Sequence, residues 1–187
     1  MNLAYITFTI AFMVWIAVEL WLFLRDRRIK PSGGNKGGRV LYSLPAVAVI
    51  ICVLLRYVNL PFGRISMTEG LLTGTVVIWA GLFLRWWSIR TLGRYFHTVV
   101  TIQDKQRVIE KGPYKYIRHP SYLGSLVICT GVGLGFGNWI GFVVVLILPF
   151  IAFNLRIYVE EEIMTSTFGY EYLHYISRTN KLIPFLY

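Results

Sequence analysis

The chain alternates between apolar and polar positions on the scale of whole segments. Five apolar runs span about residues 3–24, 40–58, 70–89, 122–136 and 139–158. A helix needs about 20 apolar residues to cross the hydrocarbon core of a bilayer, and every run but the fourth comes near that length. The pattern therefore predicts an all-α, polytopic membrane protein with about five transmembrane helices, folded as a single domain over residues 1–187.

The composition agrees with this prediction and decides how the charge is interpreted. The chain has 187 residues, of which 56% are hydrophobic, and its formal net charge is +10. In a soluble protein such a charge would suggest a nucleic acid partner, but here Lys and Arg cluster beside the apolar runs. Positively charged cytoplasmic loops and anionic membrane lipids explain the charge better, so we expect membrane lipids and no nucleic acid as partners.

The basic clusters also predict an orientation in the membrane. Residues 25–39 and 85–119 carry most of the Lys and Arg, whereas residues 59–69 and 136–138 carry almost none. Because cytoplasmic loops are enriched in Lys and Arg, we expect the N-terminus outside and the C-terminus inside. The polar residues that are candidates for chemistry then lie on the cytoplasmic side.

Several common chemistries find no support in the sequence. It contains no G-x-S-x-G, H-E-x-x-H or Walker A motif. Cys52 and Cys129 fall inside apolar runs, so neither a structural disulfide nor a metal site is expected. His97, His119 and His174 lack the mutual spacing of metal ligands, and we expect no metal.

The segment of residues 106–124 is polar and basic within an otherwise apolar chain. Gly112-Pro113 indicates a turn, and Pro120 is well placed as the first residue of the helix that follows. His119 would then lie at the N-terminus of that helix, where free backbone N–H groups and the helix dipole favour a ligand carboxylate or phosphate. The alternative is a basic membrane-surface loop without chemistry.

A second polar cluster follows the last apolar run. Arg156 and Glu160 are four residues apart, so they share one face of a helix. The successive residues Glu160, Glu161 and Glu162 point about 100° apart and cannot all face one site. The alternative is an interfacial ion pair beside a solvated acidic turn.

Single residues predict further contacts and helix ends. We expect Glu19, the one carboxylate of the first run, to reach the interface or to pair with an arginine. After residue 160 we expect a helix to about residue 167, a break at Gly169 and a short helix stopped by Pro184. Close helix packing is predicted by four glycines of one run, Gly124, Gly131, Gly133 and Gly135.

Four stretches within about the last 110 residues share their order and spacing with a known family. They are residues 81–96, residues 112–124 with the core Arg-His-Pro-Ser-Tyr, Glu160–Glu162 followed by Phe168-Gly169, and residues 181–184. In these stretches the chain resembles the isoprenylcysteine carboxyl methyltransferase family of integral-membrane, S-adenosylmethionine-dependent enzymes. The family-like core covers about residues 78–187.

The resemblance implies a pocket for S-adenosylmethionine, formed by residues 90–121 and the C-terminal helices. Arg156 corresponds to the arginine that binds the substrate carboxylate, and Thr101 or Gln103 corresponds to a further cofactor position. Lys181 stands where relatives carry arginine, so no role is transferred to it. The implied cofactor contacts are Gln106, Arg107, Val108, Ile109, Tyr114, His119, Pro120, Ser121, Tyr122 and Glu160.

The resemblance predicts methyl transfer to a lipophilic acceptor that enters from the membrane, with Arg156 and Glu160 as the catalytic pair. A prenylcysteine carboxylate is the first candidate, and a small acid, phenol, thiol or lipid amine stays open. For a hydroxyl or thiol acceptor, Glu160 or His119 would be the candidate base. The alternatives are an NADPH-dependent, sterol-reductase-like enzyme and a non-catalytic membrane subunit or small transporter. The sequence does not give the oligomeric state.

Overall fold

The fold consists of six α-helices in the part of the chain that the structure describes. The structure is a computed structural model, and it describes residues 2–29, 37–57, 66–103 and 106–183. Its helices are α1 (Leu3–Asp26), α2 (Gly37–Tyr57), α3 (Met67–Leu92), α4 (Pro120–Phe136), α5 (Trp139–Phe168) and α6 (Tyr170–Arg178). Within these residues there is no strand beyond an isolated bridge between Ile117 and Asn180, so the all-α prediction is confirmed.

Three helices of the described part are suited by length and composition to cross a membrane. They are α1, α3 together with the short turn that follows it, and α5. The apolar parts of α2 and α4, residues 43–55 and 120–136, are shorter than a full crossing. A count of five crossings therefore stays a prediction.

Glycine, proline and asparagine set the helix ends around the α4–α5 hairpin. Pro120 is the first residue of α4, as predicted, and Gly137 ends this helix in the left-handed conformation with φ 69°. The Asn138 side chain caps α5 by accepting hydrogen bonds from the backbone N–H groups of Ile140 and Gly141. Local sequence thus places the start of α4 beside the polar end of α5.

Helix α5 is longer than the hydropathy pattern indicates. The fifth apolar run and the helix predicted to about residue 167 form one helix, because α5 continues without a break to Phe168. Residues 159–168 contain no proline or glycine, and Gly169, with φ 54°, ends the helix where the break was predicted. The predicted stop at Pro184 lies outside the described residues.

A glycine seam brings α3 and α4 into close contact. A Cβ added to Gly131 would lie 2.7 Å from the carbonyl oxygen of Gly74, and one added to Gly124 would lie 2.9 Å from the backbone nitrogen of Arg85. The predicted role of these glycines in packing is thus confirmed. The seam holds the buried Arg85 against the first turn of α4.

The first two helices pack on different partners. Helix α1 packs on α3, whereas α2 packs mainly on α5. Among the described residues α1 and α2 do not pack along one another, and space is left between them over the face of α4. This space is the apolar arm of the cavity described next.

Candidate active site

A cavity of about 520 Å³ runs from the polar end of the helix bundle into the space between α1 and α2. Cavities of this size are typical of small-molecule sites. Its apolar arm is lined by residues that include Phe12, Trp15, Ile16, Val49, Ile50 and Cys129. Its polar end is lined by residues that include Gln106, Tyr114, His119, Ser121, Tyr122, Arg156 and Glu160.

Tyr122 links the arginine and the glutamate of α5 in the cavity wall. The Nε of Arg156 donates to the Tyr122 hydroxyl at 2.5 Å, and this hydroxyl donates to Oε2 of Glu160 at 2.9 Å. Arg156 is buried, with 3% of its surface exposed. The four-residue spacing of Arg156 and Glu160 puts both on the helix face that Tyr122 of α4 approaches.

Arg156 also contacts the segment that follows α3. Its Nη2 donates to the backbone carbonyl oxygen of Thr98, a residue of the cavity wall. The guanidinium is therefore held from two sides, by a side chain of α4 and by the backbone of residues 96–101. A planar guanidinium has donors in fixed directions, so these contacts fix its orientation.

The entrance to α4 is clamped by the C-terminal part of the chain. Oε1 of Glu161 lies 2.7 Å from Nε of Arg118 and 3.1 Å from Nε2 of His119. The backbone N–H groups of Arg118 and His119 donate to the carbonyl oxygens of Asn180 and Lys181. Glu161 thus orients the cavity-lining side chains of Arg118 and His119.

The three successive glutamates point in different directions, as their helical spacing predicts. Glu160 faces the cavity, Glu161 faces the entrance to α4, and Glu162 is exposed. The alternative of a solvated acidic turn does not hold for Glu161, which contacts Arg118, and Glu160 contacts Tyr122 of α4.

An ion pair that the sequence did not predict as part of the site lies in the cavity wall. Glu19 of α1 pairs with Arg85 of α3, with Oε1 and Nε 2.8 Å apart and Nη2 donating to Oε2 at 2.9 Å. Nη1 of Arg85 donates to Oγ of Ser121 at 2.9 Å. The expectation that Glu19 pairs with an arginine is confirmed, and the pair additionally holds the first turn of α4.

Tyr114 belongs to the cavity wall and is buried in the short turn before α4. Burial, with a smaller contribution from the negative charge of Glu160, raises the pKa of Tyr114 well above its usual value. The hydroxyl of Tyr175 in α6 donates to the Tyr114 carbonyl oxygen at 2.7 Å. Tyr114 is therefore a neutral phenol whose backbone is held by α6.

Most of the residues predicted for the site come together. Gln106, Tyr114, His119, Ser121, Tyr122, Arg156, Glu160 and Thr101 all line the cavity. Four predicted residues do not belong to the lining: Arg107, Val108, Ile109 and Pro120. Arg107 is exposed, and Pro120 is buried as the first residue of α4. Gln103 lies just behind it, where its backbone N–H donates to Oε1 of Gln106. The roles assigned to these residues stay predictions.

The walls that come from the N-terminal half were not predicted by the sequence. Pro45, Val49 and Val53 of α2 line the arm, and so do Trp15 and Phe12 of α1. In the sequence these residues are ordinary members of apolar runs, and only helix packing shows that they face a cavity. For Arg85, a charge inside an apolar run was an available signal.

The fold and the site define a class: a helical membrane protein whose cavity joins a charged end to an apolar arm. A sequence profile of the family described as phospholipid methyltransferase (PEMT) matches residues 70–171, more than half of the chain. The chain therefore belongs to this family. Three of its described helices are long and apolar enough to cross a membrane.

Individual relatives agree with the predicted resemblance. A probable protein-S-isoprenylcysteine O-methyltransferase of Oryza sativa subsp. indica is 30% identical over 115 residues, which is 60% of this chain and 60% of the relative. The protein-S-isoprenylcysteine O-methyltransferase of Saccharomyces cerevisiae is 26% identical over 188 residues, covering 96% of this chain and 79% of the yeast protein. The chain thus spans about 60% of the length of the rice relative.

The fold also has a solved counterpart. The structure of the eukaryotic intramembrane Ras methyltransferase ICMT aligns with a TM-score of 0.64 and 22% identity, over 87% of this chain and 56% of that chain. The resemblance to isoprenylcysteine carboxyl methyltransferases is confirmed, and the reductase and non-catalytic alternatives are not favoured.

Proposed function

We propose that this chain is an S-adenosylmethionine-dependent methyltransferase that esterifies the carboxylate of a lipophilic, isoprenylcysteine-like acceptor. The observation that carries the proposal is the single cavity that combines the Arg156–Tyr122–Glu160 cluster with an apolar arm between α1 and α2. The names of the curated relatives support it. Since the chain spans only part of the rice relative's length, its substrate is inferred from the site as well.

The chemistry of the polar end fits S-adenosylmethionine. This cofactor carries a carboxylate, an ammonium, a sulfonium and an aromatic base, so it needs partners of both signs. Glu160 supplies a carboxylate for a cationic group, and His119 with the first turn of α4 offers donors to an anionic one. Tyr122 offers an aromatic face of the kind that attracts cations.

When bound, the cofactor supplies an electrophilic methyl group on its sulfonium. The acceptor carboxylate is ionised at pH 7, since carboxyl groups have pKa values near 4, and it needs no general base. Arg156 then has one task, which is to hold that carboxylate in line with the methyl group. Such positioning contributes up to ~7–11 kcal/mol in well-oriented reactions.

The apolar arm suits the lipophilic part of the acceptor. Val49 and Ile50 line it on one side and Phe12 and Trp15 on the other, and α1 and α2 separate there. Burying hydrocarbon in such an arm is favourable by about 25 cal/mol per Å² of apolar surface. A prenyl chain bound there would end at the polar cluster with its carboxylate.

The orientation and the number of crossings complete the proposal. We place the polar end of the cavity in the cytoplasm, with five crossings and the N-terminus outside, because the basic segments lie at that end. Lys115 is exposed there. A Lys115→Cys variant should react with a membrane-impermeant thiol reagent only from the cytoplasmic side, and reaction from the opposite side would refute the orientation.

The function is tested by binding and turnover with the detergent-purified protein. Calorimetric titration with S-adenosylhomocysteine should show saturable binding, which is lost in Glu160→Ala and kept in Glu162→Ala, a matched control with an exposed side chain. Radiolabelled methyl transfer to farnesylcysteine should follow. Methylation of phosphatidylethanolamine alone would replace the carboxylate acceptor by an amine, and absence of cofactor binding by the folded protein would refute the enzyme proposal.

A further inference from the structure

Asp26, the last residue of α1, is a carboxylate with 2% of its surface exposed. Its Oδ2 accepts a hydrogen bond from the backbone N–H of Thr98 at 2.7 Å, and Nδ1 of His97 lies 3.4 Å from its Oδ1. Arg25 donates to both carboxylate oxygens and also to the carbonyl oxygen of Phe96 at 2.9 Å. The end of α1 thus holds three successive residues of the segment that follows α3.

Thr98 is the point where this contact meets the candidate active site. Its N–H donates to Asp26, and its carbonyl oxygen accepts from Nη2 of Arg156. Residues 97–101 contain neither helix nor strand, so no helical or sheet pattern of backbone hydrogen bonds fixes them. The position of the Thr98 carbonyl therefore depends on contacts such as the one with Asp26.

This geometry links α1 to the proposed acceptor arginine through one residue. Asp26 holds Thr98, Thr98 fixes one side of Arg156, and Tyr122 fixes the other. Removal of the Asp26 carboxylate leaves the Thr98 N–H without its acceptor. The segment can then shift at Thr98, and the contact between Thr98 and Arg156 is weakened.

We propose that Asp26 is a positioning residue that orients Arg156 for the acceptor carboxylate through the backbone of Thr98. The proposal rests on the function inferred above. Asp26 does not itself line the cavity, so its substitution should weaken acceptor use and leave the cofactor end largely unchanged. A residue that only stabilises the fold would affect both.

The test is a double-mutant cycle in methyl transfer to farnesylcysteine. Asp26→Ala should raise the acceptor KM about tenfold, because the Thr98 N–H loses its acceptor, with the KM for S-adenosylmethionine unchanged. Arg156→Lys keeps a charge but lacks the guanidinium that reaches both Tyr122 and Thr98. In the Arg156→Lys background, Asp26→Ala should add less than about twofold, because residues that act through one another are not additive.

Two further variants complete the design. Asp26→Asn keeps a carbonyl oxygen that can accept from the Thr98 N–H, so its acceptor KM should lie between those of the wild type and Asp26→Ala. If Asp26→Ala does not bind S-adenosylhomocysteine, Asp26→Asn takes its place in the cycle. Glu110→Ala removes an exposed carboxylate paired with Arg178 and should match the wild type.

The outcomes separate this proposal from the one on which it rests. A wild-type protein that methylates no carboxylate would overturn both. With wild-type turnover intact, equal effects of the Asp26 substitution in both backgrounds, or equal increases in both KM values, would overturn only the role of Asp26.

Discussion

The hydroxyl of Tyr122 donates a hydrogen bond to Oε2 of Glu160 at 2.9 Å, and it accepts one from Arg156 on the same side of the cavity. The Tyr122 phenol thus bridges the Glu160 carboxylate and the Arg156 guanidinium. In the proposed enzyme the carboxylate serves the cofactor and the guanidinium serves the acceptor. Their separation is set by a residue of the neighbouring helix.

Replacement of Tyr122 by phenylalanine tests this link. Tyr122→Phe removes the hydroxyl and keeps the ring, so the buried Arg156 and the half-buried Glu160 each lose a hydrogen-bond partner. We expect kcat/KM for the acceptor to fall about tenfold. Tyr158→Phe, on the exposed side of α5, should leave turnover unchanged. Equal turnover of the two variants would show that the hydroxyl has no part in the reaction.

Arg156→Lys tests the orientation of the acceptor. Lysine keeps the positive charge but cannot offer two parallel donors to a carboxylate. The acceptor KM should rise at least about tenfold, while the affinity for S-adenosylhomocysteine should change less than about twofold. Arg178→Lys, with its exposed side chain, is the matched control. A loss of cofactor affinity in Arg156→Lys would move the arginine to the cofactor end of the site.

The pair of Glu19 and Arg85 should be important for stability. Glu19→Ala leaves the buried guanidinium of Arg85 without its carboxylate, which costs about 3–5 kcal/mol in fully buried pairs. The cost here should be smaller, because 23% of the Glu19 side chain is exposed. Thermal unfolding in detergent should show the loss, and the double variant Glu19→Gln/Arg85→Gln should recover part of it. Identical melting of Glu19→Ala and wild type would contradict this.

The glycine seam gives a prediction about packing. Gly131→Ala would place a methyl group 2.7 Å from the carbonyl oxygen of Gly74, so α3 and α4 must move apart. Overpacking of this kind costs about 1–3 kcal/mol, and the melting temperature should fall accordingly. Val76→Ala, which shortens an exposed side chain on α3, is the control and should melt like the wild type. A normal melting temperature for Gly131→Ala would show that the seam is loose.

Some features of the protein were determined by the sequence alone. Long continuous apolar runs predict helices in lipid, because a helix satisfies its backbone polar groups within the segment. Pro120 and Gly169 mark helix ends because their backbone preferences are local. The spacing of Arg156 and Glu160 puts them on one face by helix geometry, whatever surrounds them.

Other features were decided only by the tertiary structure. Nothing local in the sequence indicates that Asp26 meets Thr98, that Glu19 meets Arg85, or that α1 and α2 separate to form the apolar arm. The two side-chain contacts join residues 66 and 72 positions apart in the chain. Such contacts depend on which helices pack together, and apolar helices of similar composition do not reveal their neighbours by pattern. The charged residues could therefore be recognised in the sequence, but their partners could not.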